Sequence, residues 1–117
     1  MSQTRAQIAN RALRRCGVLG FGQATDSNRT DAALQSYDEV YGYLEELGIV
    51  DWGSTASVPN EYAFWVVAMT AYSLCDDIAV SNTRYSRISR DATQAEANIR
   101  RVYAQSYTPD ETKVSDF

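Results

Sequence analysis

Adjacent pairs of carboxylates are the residues of this sequence that could most directly carry out a reaction. Three such pairs lie on predicted helices, namely Asp38-Glu39, Glu45-Glu46 and Asp76-Asp77. Two carboxyl groups that face each other across a cleft can act as acid and base on a glycosidic bond. Neighbouring residues of a helix, however, point about 100° apart, so no pair is expected to share one substrate. The third pair falls near the end of a predicted buried helix, and a solvated or arginine-paired helix end explains it better than catalysis does.

The other residue types that support catalysis are scarce. Histidine, the commonest general base and transition-metal ligand, is absent from the sequence. Cys16 and Cys75 are 59 positions apart, and no second cysteine lies near either of them in the chain. Each lies on an apolar helical stripe, which predicts two reduced, buried thiols. We therefore expect a protein that is not an enzyme and that binds neither a metal ion nor a cofactor.

Arginine supplies almost all of the positive charge, since Lys113 is the only lysine among eleven basic residues. The planar arginine side chain binds carboxylates through two donors and is common in interfaces. Six arginines lie opposite an apolar stripe and are candidate interface residues: Arg11, Arg14 and Arg15 in the first predicted helix, and Arg87, Arg90 and Arg101 in the fourth. They form either an ordinary solvated surface or a surface for an acidic partner, such as the acidic face of a neighbouring copy.

Four segments show the apolar periodicity of helices, and together they predict an all-α, four-helix bundle-like domain. In the first segment, Thr4 and Gln7 form a capping-box pattern, and Gly17 supplies a left-handed stop. Gly42 in the second predicts a close contact between helices, and Asn60 is expected to cap the third. The third is apolar nearly all the way round, which is typical of a central buried helix. The predicted helices cover residues 4–16, 27–47, 60–79 and 83–106.

The chain is expected to contain one helical domain, residues 1–107, and an extended or flexible tail, residues 108–117. Its 117 residues suit a single domain. Pro109 is expected to end the fourth helix. Val114 and Phe117 are isolated apolar residues in the polar tail and are candidate anchors for a partner. The most apolar stretch, residues 62–79, contains two aspartates, which argues against a membrane span, and the first residues lack the apolar run of a signal peptide.

Several stretches together resemble the head-to-tail adaptor proteins of tailed bacteriophages, chiefly those of short-tailed phages. The resemblance covers roughly residues 4–106 and is carried by Ile8, residues 10–15 (NRALRR), residues 17–20 (GVLG), residues 44–49 (LEELGI), Trp52 and residues 58–62 (VPNEY). A long last helix rich in alanine adds to the likeness.

This resemblance implies a structural protein of the phage neck, made in the host cytoplasm and incorporated into the virion. Such adaptors are helical bundles that form a ring, usually of twelve copies, beneath the portal protein. The ring extends the DNA channel, through which DNA passes without specific binding, and it docks tail or nozzle proteins. The carboxyl-terminal segment of the family commonly reaches the portal, which implies that role for residues 108–117. Some relatives with a longer carboxyl extension are credited with cell-wall degradation, and this chain lacks that extension.

Two alternatives from other classes remain open at this point. The carboxylate pairs allow a peptidoglycan hydrolase of the phage tail. The arginines of the first helix allow a small regulatory DNA-binding bundle, although a net charge of −4 argues against a general nucleic-acid binder. The first and fourth predicted helices are basic, and the second and third are acidic. This distribution agrees with a ring, because a ring needs a heterologous interface, in which one face of a subunit meets a different face of the next.

Overall fold

Four helices make up most of the described chain, which confirms the predicted all-α fold. The computed structural model describes residues 2–17, 27–50, 52–53, 56–76 and 78–114, with residues 27 and 106–114 described as backbone only. The helices are α1 (Arg5–Arg15), α2 (Ser27–Leu47), α3 (Asn60–Leu74) and α4 (Asn82–Val114). Two short strands, β1 (Ser2–Gln3) and β2 (Val58–Pro59), pair antiparallel and join the start of α1 to the start of α3.

The two ends of α1 follow the pattern predicted for them. The Thr4 hydroxyl accepts a hydrogen bond from the Gln7 backbone N–H at 3.1 Å, and the Gln7 side chain accepts from the Thr4 N–H at 2.8 Å. This capping box satisfies two of the donors that a helix leaves unpaired at its start. At the other end, Gly17 has a φ of +81°, a conformation that side chains with a Cβ rarely adopt.

Helix α3 is the centre of the fold. It packs against α1, α2 and α4, and α1 also packs against α2, whereas α2 and α4 are not packed against each other along their lengths. Most of its side chains are buried on several sides, including Tyr62, Val66, Val67 and Leu74. The prediction of a central buried helix is confirmed. The separation of α2 from α4 leaves part of α3 accessible between them.

The core is divided into an aromatic part and a part made of smaller side chains. Tyr37, Tyr41, Trp52 and Tyr62 pack together in the first part. Their polar atoms are satisfied there, since Trp52 Nε1 donates to Tyr37 Oη at 3.1 Å and Tyr41 Oη donates to the Trp52 carbonyl at 2.8 Å. The second part is built mainly from alanine, leucine and Cys16, and it holds the carboxyl end of α1 against α3 and α4.

Two local predictions are wrong. A Cβ at Gly42 would meet no described atom within 4 Å, because Gly42 lies on the side of α2 opposite the buried Ala33, Tyr37 and Leu44. Asn60 does not cap α3, since Pro59 occupies the N-cap position with no side-chain hydrogen bond. The pairing of β2 with β1 extends to Pro59 and fixes the entry into the helix directly.

Helix boundaries differ from the prediction at the ends of α3 and α4. Helix α3 ends at Leu74 rather than at residue 79. Helix α4 continues past Pro109 to Val114, whereas the sequence predicted an end at residue 106 and an extended segment after it. A proline removes one backbone hydrogen bond and perturbs the preceding turn, but its fixed φ is compatible with a helix. Phe117 lies outside the described residues, and Val114 is described as backbone only.

Candidate interaction surfaces

The candidate arginines of α1 have contacts within the chain, which corrects the prediction that all of them point away from the core. Arg15 Nη1 lies 2.9 Å from Asp91 Oδ2 on α4, and both side chains are 24% exposed. Arg11 Nη1 donates to Gln3 Oε1 at 2.9 Å and is half-buried. Burial, followed by the positive charges of Arg15 and Arg14, lowers the pKa of Arg11. Arg14 is exposed.

The candidate arginines of α4 are exposed, as predicted. Arg87 and Arg90 point to solvent, and the Arg90 side chain is 67% exposed with its Nε 3.9 Å from Asp91 Oδ1. Arg101 is also exposed and donates to Asn98 Oδ1 at 3.3 Å. These three residues therefore stay available as an interaction surface, while Arg15 and Arg11 serve to hold α1 in place.

Two further arginines, not singled out by the sequence, connect elements of the fold. Arg5 binds Asp38 through two bonds of 2.9 and 2.6 Å, which ties α1 to the acidic side of α2. Arg84 Nη1 donates to the Arg15 carbonyl at 3.0 Å and so satisfies a carbonyl at the carboxyl end of α1 with a cation. The Arg5–Asp38 contact shows that part of the attraction between basic and acidic helices forms ion pairs within a single copy of the chain.

A cluster that we call the arginine flank lies where the end of α1 meets α4. It consists of Phe64, Arg15, Arg84, Arg87, Arg90 and Asp91. Four of these residues line a shallow cavity of about 260 Å³ together with Ile88. The Arg15 guanidinium sits 5.0 Å above the Phe64 ring, yet Phe64 remains 45% exposed. The flank therefore combines an exposed aromatic ring with an excess of positive charge.

A second cluster, which we call the tyrosine groove, lies between α2 and α4 with α3 as its floor. It encloses about 360 Å³ and its lining is mostly apolar. The lining side chains are Glu39, Val40, Tyr43, Met69, Tyr72, Ser73, Ala92 and Thr93. Tyr43 Oη donates to Glu96 at 2.6 Å across the groove, and that bond raises the pKa of Tyr43. Tyr72 packs on Tyr85 with ring centroids 6.1 Å apart.

The apolar patterns of the sequence did not predict the groove. Tyr37, Tyr41 and Tyr62 are buried in the core. Tyr43, Tyr72 and Tyr85, however, are among the most exposed large apolar side chains of the described chain. A helical wheel places Tyr43 next to the core stripe of α2, so periodicity alone could not reveal that no described helix covers it.

The carboxylates and thiols offer little of the geometry that catalysis needs. Asp38 binds Arg5 on α1 while Glu39 lines the tyrosine groove, so these neighbours face different surroundings, as their spacing predicts. Asp77 lies outside the described residues. Cys16 is buried and free, and Cys75 is half-buried and free. Burial, with a smaller contribution from Cys75, raises the pKa of Cys16 to about 12, which keeps this thiol protonated at neutral pH.

The described part of the chain contains neither a metal-ligand cluster nor a membrane-spanning helix, and no known protein matches it. Across the residues that the structure describes, no three histidine, cysteine, aspartate or glutamate side chains are grouped to hold a metal ion. In the same part of the chain, no helix is both long enough and apolar enough to cross a membrane. No protein-family model, no curated protein and no solved structure matches the sequence or the fold.

Proposed function

We propose that this protein is a head-to-tail adaptor of a tailed bacteriophage. In this role, copies of the chain form a ring beneath the portal protein in the neck of the virion. The ring extends the DNA channel and docks a tail or nozzle protein. The sequence resemblance over roughly residues 4–106 supports this proposal, and the all-α bundle is compatible with it. The proposal includes no catalytic step and no cofactor.

The observation that carries the proposal is the contrast between the two sides of α4. At 100° per residue, Tyr85, Ala92 and Glu96 fall on one side of the buried Ile88. Arg84, Arg87 and Asp91 fall on the other side. A closed ring is built from heterologous interfaces, in which one surface of a subunit meets a different surface of the next. Two exposed surfaces of unlike chemistry on opposite sides of one helix suit that arrangement.

The acidic character of the chain is also compatible with a DNA conduit. The net charge is −4, and like charge weakens adhesion of the DNA backbone to a channel wall. The predicted anchors Val114 and Phe117 stay assigned to portal binding as part of this proposal.

The decisive experiment is to mix the full chain with the portal protein encoded in the same genome and to measure the mass of the product. We expect a discrete complex in which several copies of the chain are bound per portal assembly. A matched sample without portal should contain monomers or weak oligomers at micromolar concentration, because exposed ion pairs contribute little individually. If the chain and the portal sediment separately at every ratio, the adaptor proposal is wrong.

A further inference from the structure

The tyrosine groove exposes apolar surface that the described residues do not cover. Tyr43, Tyr72 and Tyr85 are 44%, 43% and 43% exposed. These three tyrosines lie together at the tyrosine groove, whose floor includes Met69. Single exposed apolar residues are ordinary on a protein surface, but a group of them around a concave site marks a place where another molecule binds.

The edges of the groove are acidic. Glu39 is on its α2 edge, and Glu96 on its α4 edge accepts from Tyr43 and from Arg100 Nε at 3.3 Å. Asp76 is exposed and comes one turn after Tyr72, just beyond the end of α3. Among the described residues, two carboxylates therefore lie at the edges of the groove, and a third follows shortly after Tyr72 in the chain. The occupant should present an apolar group surrounded by positive charge.

The arginine flank has this composition. Its one exposed ring, Phe64, lies beneath the Arg15 guanidinium, and three further arginines and one aspartate follow on α4. Arg15 and Arg84 are held by bonds within the chain, and this fixes their position where the end of α1 meets α4. Arg87 and Arg90 are exposed and extend the positive surface. Because Phe64 is one side chain and the groove encloses about 360 Å³, there is room for the ring and for adjacent arginine stems.

We propose that the arginine flank of one copy docks, with Phe64 as its anchor, into the tyrosine groove of a second copy. The inference rests on the proposed ring assembly and names the two surfaces that would form its subunit interface. Since flank and groove lie on opposite sides of α4, a copy whose groove is filled still has a free flank. The contact is therefore heterologous and can continue from copy to copy.

Complementation between two variants tests this contact. The flank variant carries Phe64→Asp and Arg87→Glu, and the groove variant carries Tyr43→Arg and Tyr72→Arg. The control is Ala97→Glu, an added charge at an exposed position of α4 that belongs to neither surface. Circular dichroism and thermal unfolding identify any variant that does not fold, and Phe64→Ser or Tyr72→Ser then replaces it. Sedimentation is measured at low salt and at about 1 mM protein, where a contact with a Kd of about 1 mM is still occupied in roughly two copies of every five.

We expect the wild type and Ala97→Glu to form species larger than a dimer, and each surface variant alone to be monomeric. An equimolar mixture of the two variants should form a heterodimer and nothing larger, because only one competent flank and one competent groove remain. A mixture that stays monomeric would overturn the inference. So would a flank variant that still dimerises alone, since its groove would then be pairing with another groove.

Portal binding separates this inference from the adaptor function. If both variants assemble on the portal as well as the wild type does, the flank–groove contact is wrong and the adaptor function stands. If the variants form the heterodimer but the wild type never binds portal, the contact stands and the adaptor function is wrong. If the groove variant alone loses portal binding while the mixture stays monomeric, the portal occupies the groove and the inference is overturned.

Discussion

The arginines of α1 and those of α4 have similar sequence patterns but different surroundings. Arg5 and Arg15 form ion pairs at 2.6 and 2.9 Å with Asp38 on α2 and Asp91 on α4. Arg87 and Arg90 lie on the exposed surface of α4. The first group holds helices of one copy together, whereas the second is available to another molecule.

This difference shows what a helical wheel can and cannot predict. The wheel gives the direction of a side chain relative to the apolar stripe of its own helix. It does not give the position of the neighbouring helix. Although Arg15 is predicted to point away from the apolar stripe of α1, its long side chain lets the guanidinium reach Asp91 on α4 and lie 5.0 Å from the centre of the Phe64 ring. Arg90 lies on the far side of α4, where no described helix is packed.

The largest effect is expected from reversing the charges of Arg87, Arg90 and Arg101 to glutamate. Assembly with the portal should be lost, because an attractive surface becomes repulsive towards an acidic partner. Folding should be nearly unaffected, with a loss within about 0.5 kcal/mol per residue, since all three are exposed. Complex formation is measured by sedimentation and stability by urea unfolding.

The matching lysine variant is the control for this prediction. Arg87→Lys, Arg90→Lys and Arg101→Lys retain the positive charge and should retain part of the assembly. Unfolding of the glutamate variant would show that these residues belong to the fold, and normal assembly would show that they belong to no interface.

Gly17→Ala should cause the next largest loss, and it tests how tightly α1 is joined to α4. A Cβ at Gly17 would lie 2.8 Å from Arg84 Nε, and the φ of +81° is strained for any side chain. Gly48→Ala is the matched control, because its φ is +73° but no described atom lies within 4 Å of the added Cβ. Backbone strain in the alanine variant should lower the free energy of unfolding by about 1–2 kcal/mol at either site. Displacing Arg84 from the Arg15 carbonyl should lower it by about 1 kcal/mol more, at Gly17 alone.

Chemical denaturation of the two alanine variants, each with and without Arg84→Met, measures this difference. The extra cost at Gly17 should disappear once Arg84 is replaced. Equal losses for Gly17→Ala and Gly48→Ala would mean that Arg84 contributes nothing to the junction.

The sequence predicted the features that depend on local pattern. These include the four helices, the capping box at Thr4, the left-handed Gly17 and the buried character of α3. It missed features that depend on which helices touch. Gly42 was expected at a close contact, but no described atom approaches it, and the tyrosine groove lies where α2 and α4 are separated. Periodicity fixes the apolar side of a helix and leaves the identity of its neighbours open.

The Arg15–Asp91 pair should contribute more to stability than an exposed arginine does. Arg15→Met should lower the free energy of unfolding by about 1 kcal/mol. This is less than the loss expected at a fully buried ion pair, because both side chains are 24% exposed. Asp91→Asn should lower it by a smaller amount, because the variant keeps the contact of Arg15 with Phe64, which contributes about 0.5 kcal/mol. Arg90→Met, at a side chain 67% exposed, is the control and should change the free energy of unfolding by almost nothing. Equal costs at Arg15 and Arg90 would contradict the distinction between the two groups.

The smallest effect is expected at the Arg5–Asp38 pair, where good geometry and high exposure oppose each other. The two bonds of 2.9 and 2.6 Å form a bidentate contact, which favours a measurable contribution. The side chains are nevertheless 38% and 53% exposed, so water screens the attraction, and a double-mutant cycle with Arg5→Met and Asp38→Asn should give a coupling of only about 0.5 kcal/mol.

Salt then distinguishes this pair from the more buried one, because in about 1 M NaCl the screening length falls to about 3 Å. The Arg5–Asp38 coupling should fall towards zero there, while most of the Arg15–Asp91 coupling should persist. Glu39→Gln is the control for the loss of one negative charge on the same stretch of α2, and it should show no coupling to Arg5→Met. If salt weakened both ion pairs equally, exposure would not be what separates them, and the arginines of α1 could not be ranked by their burial.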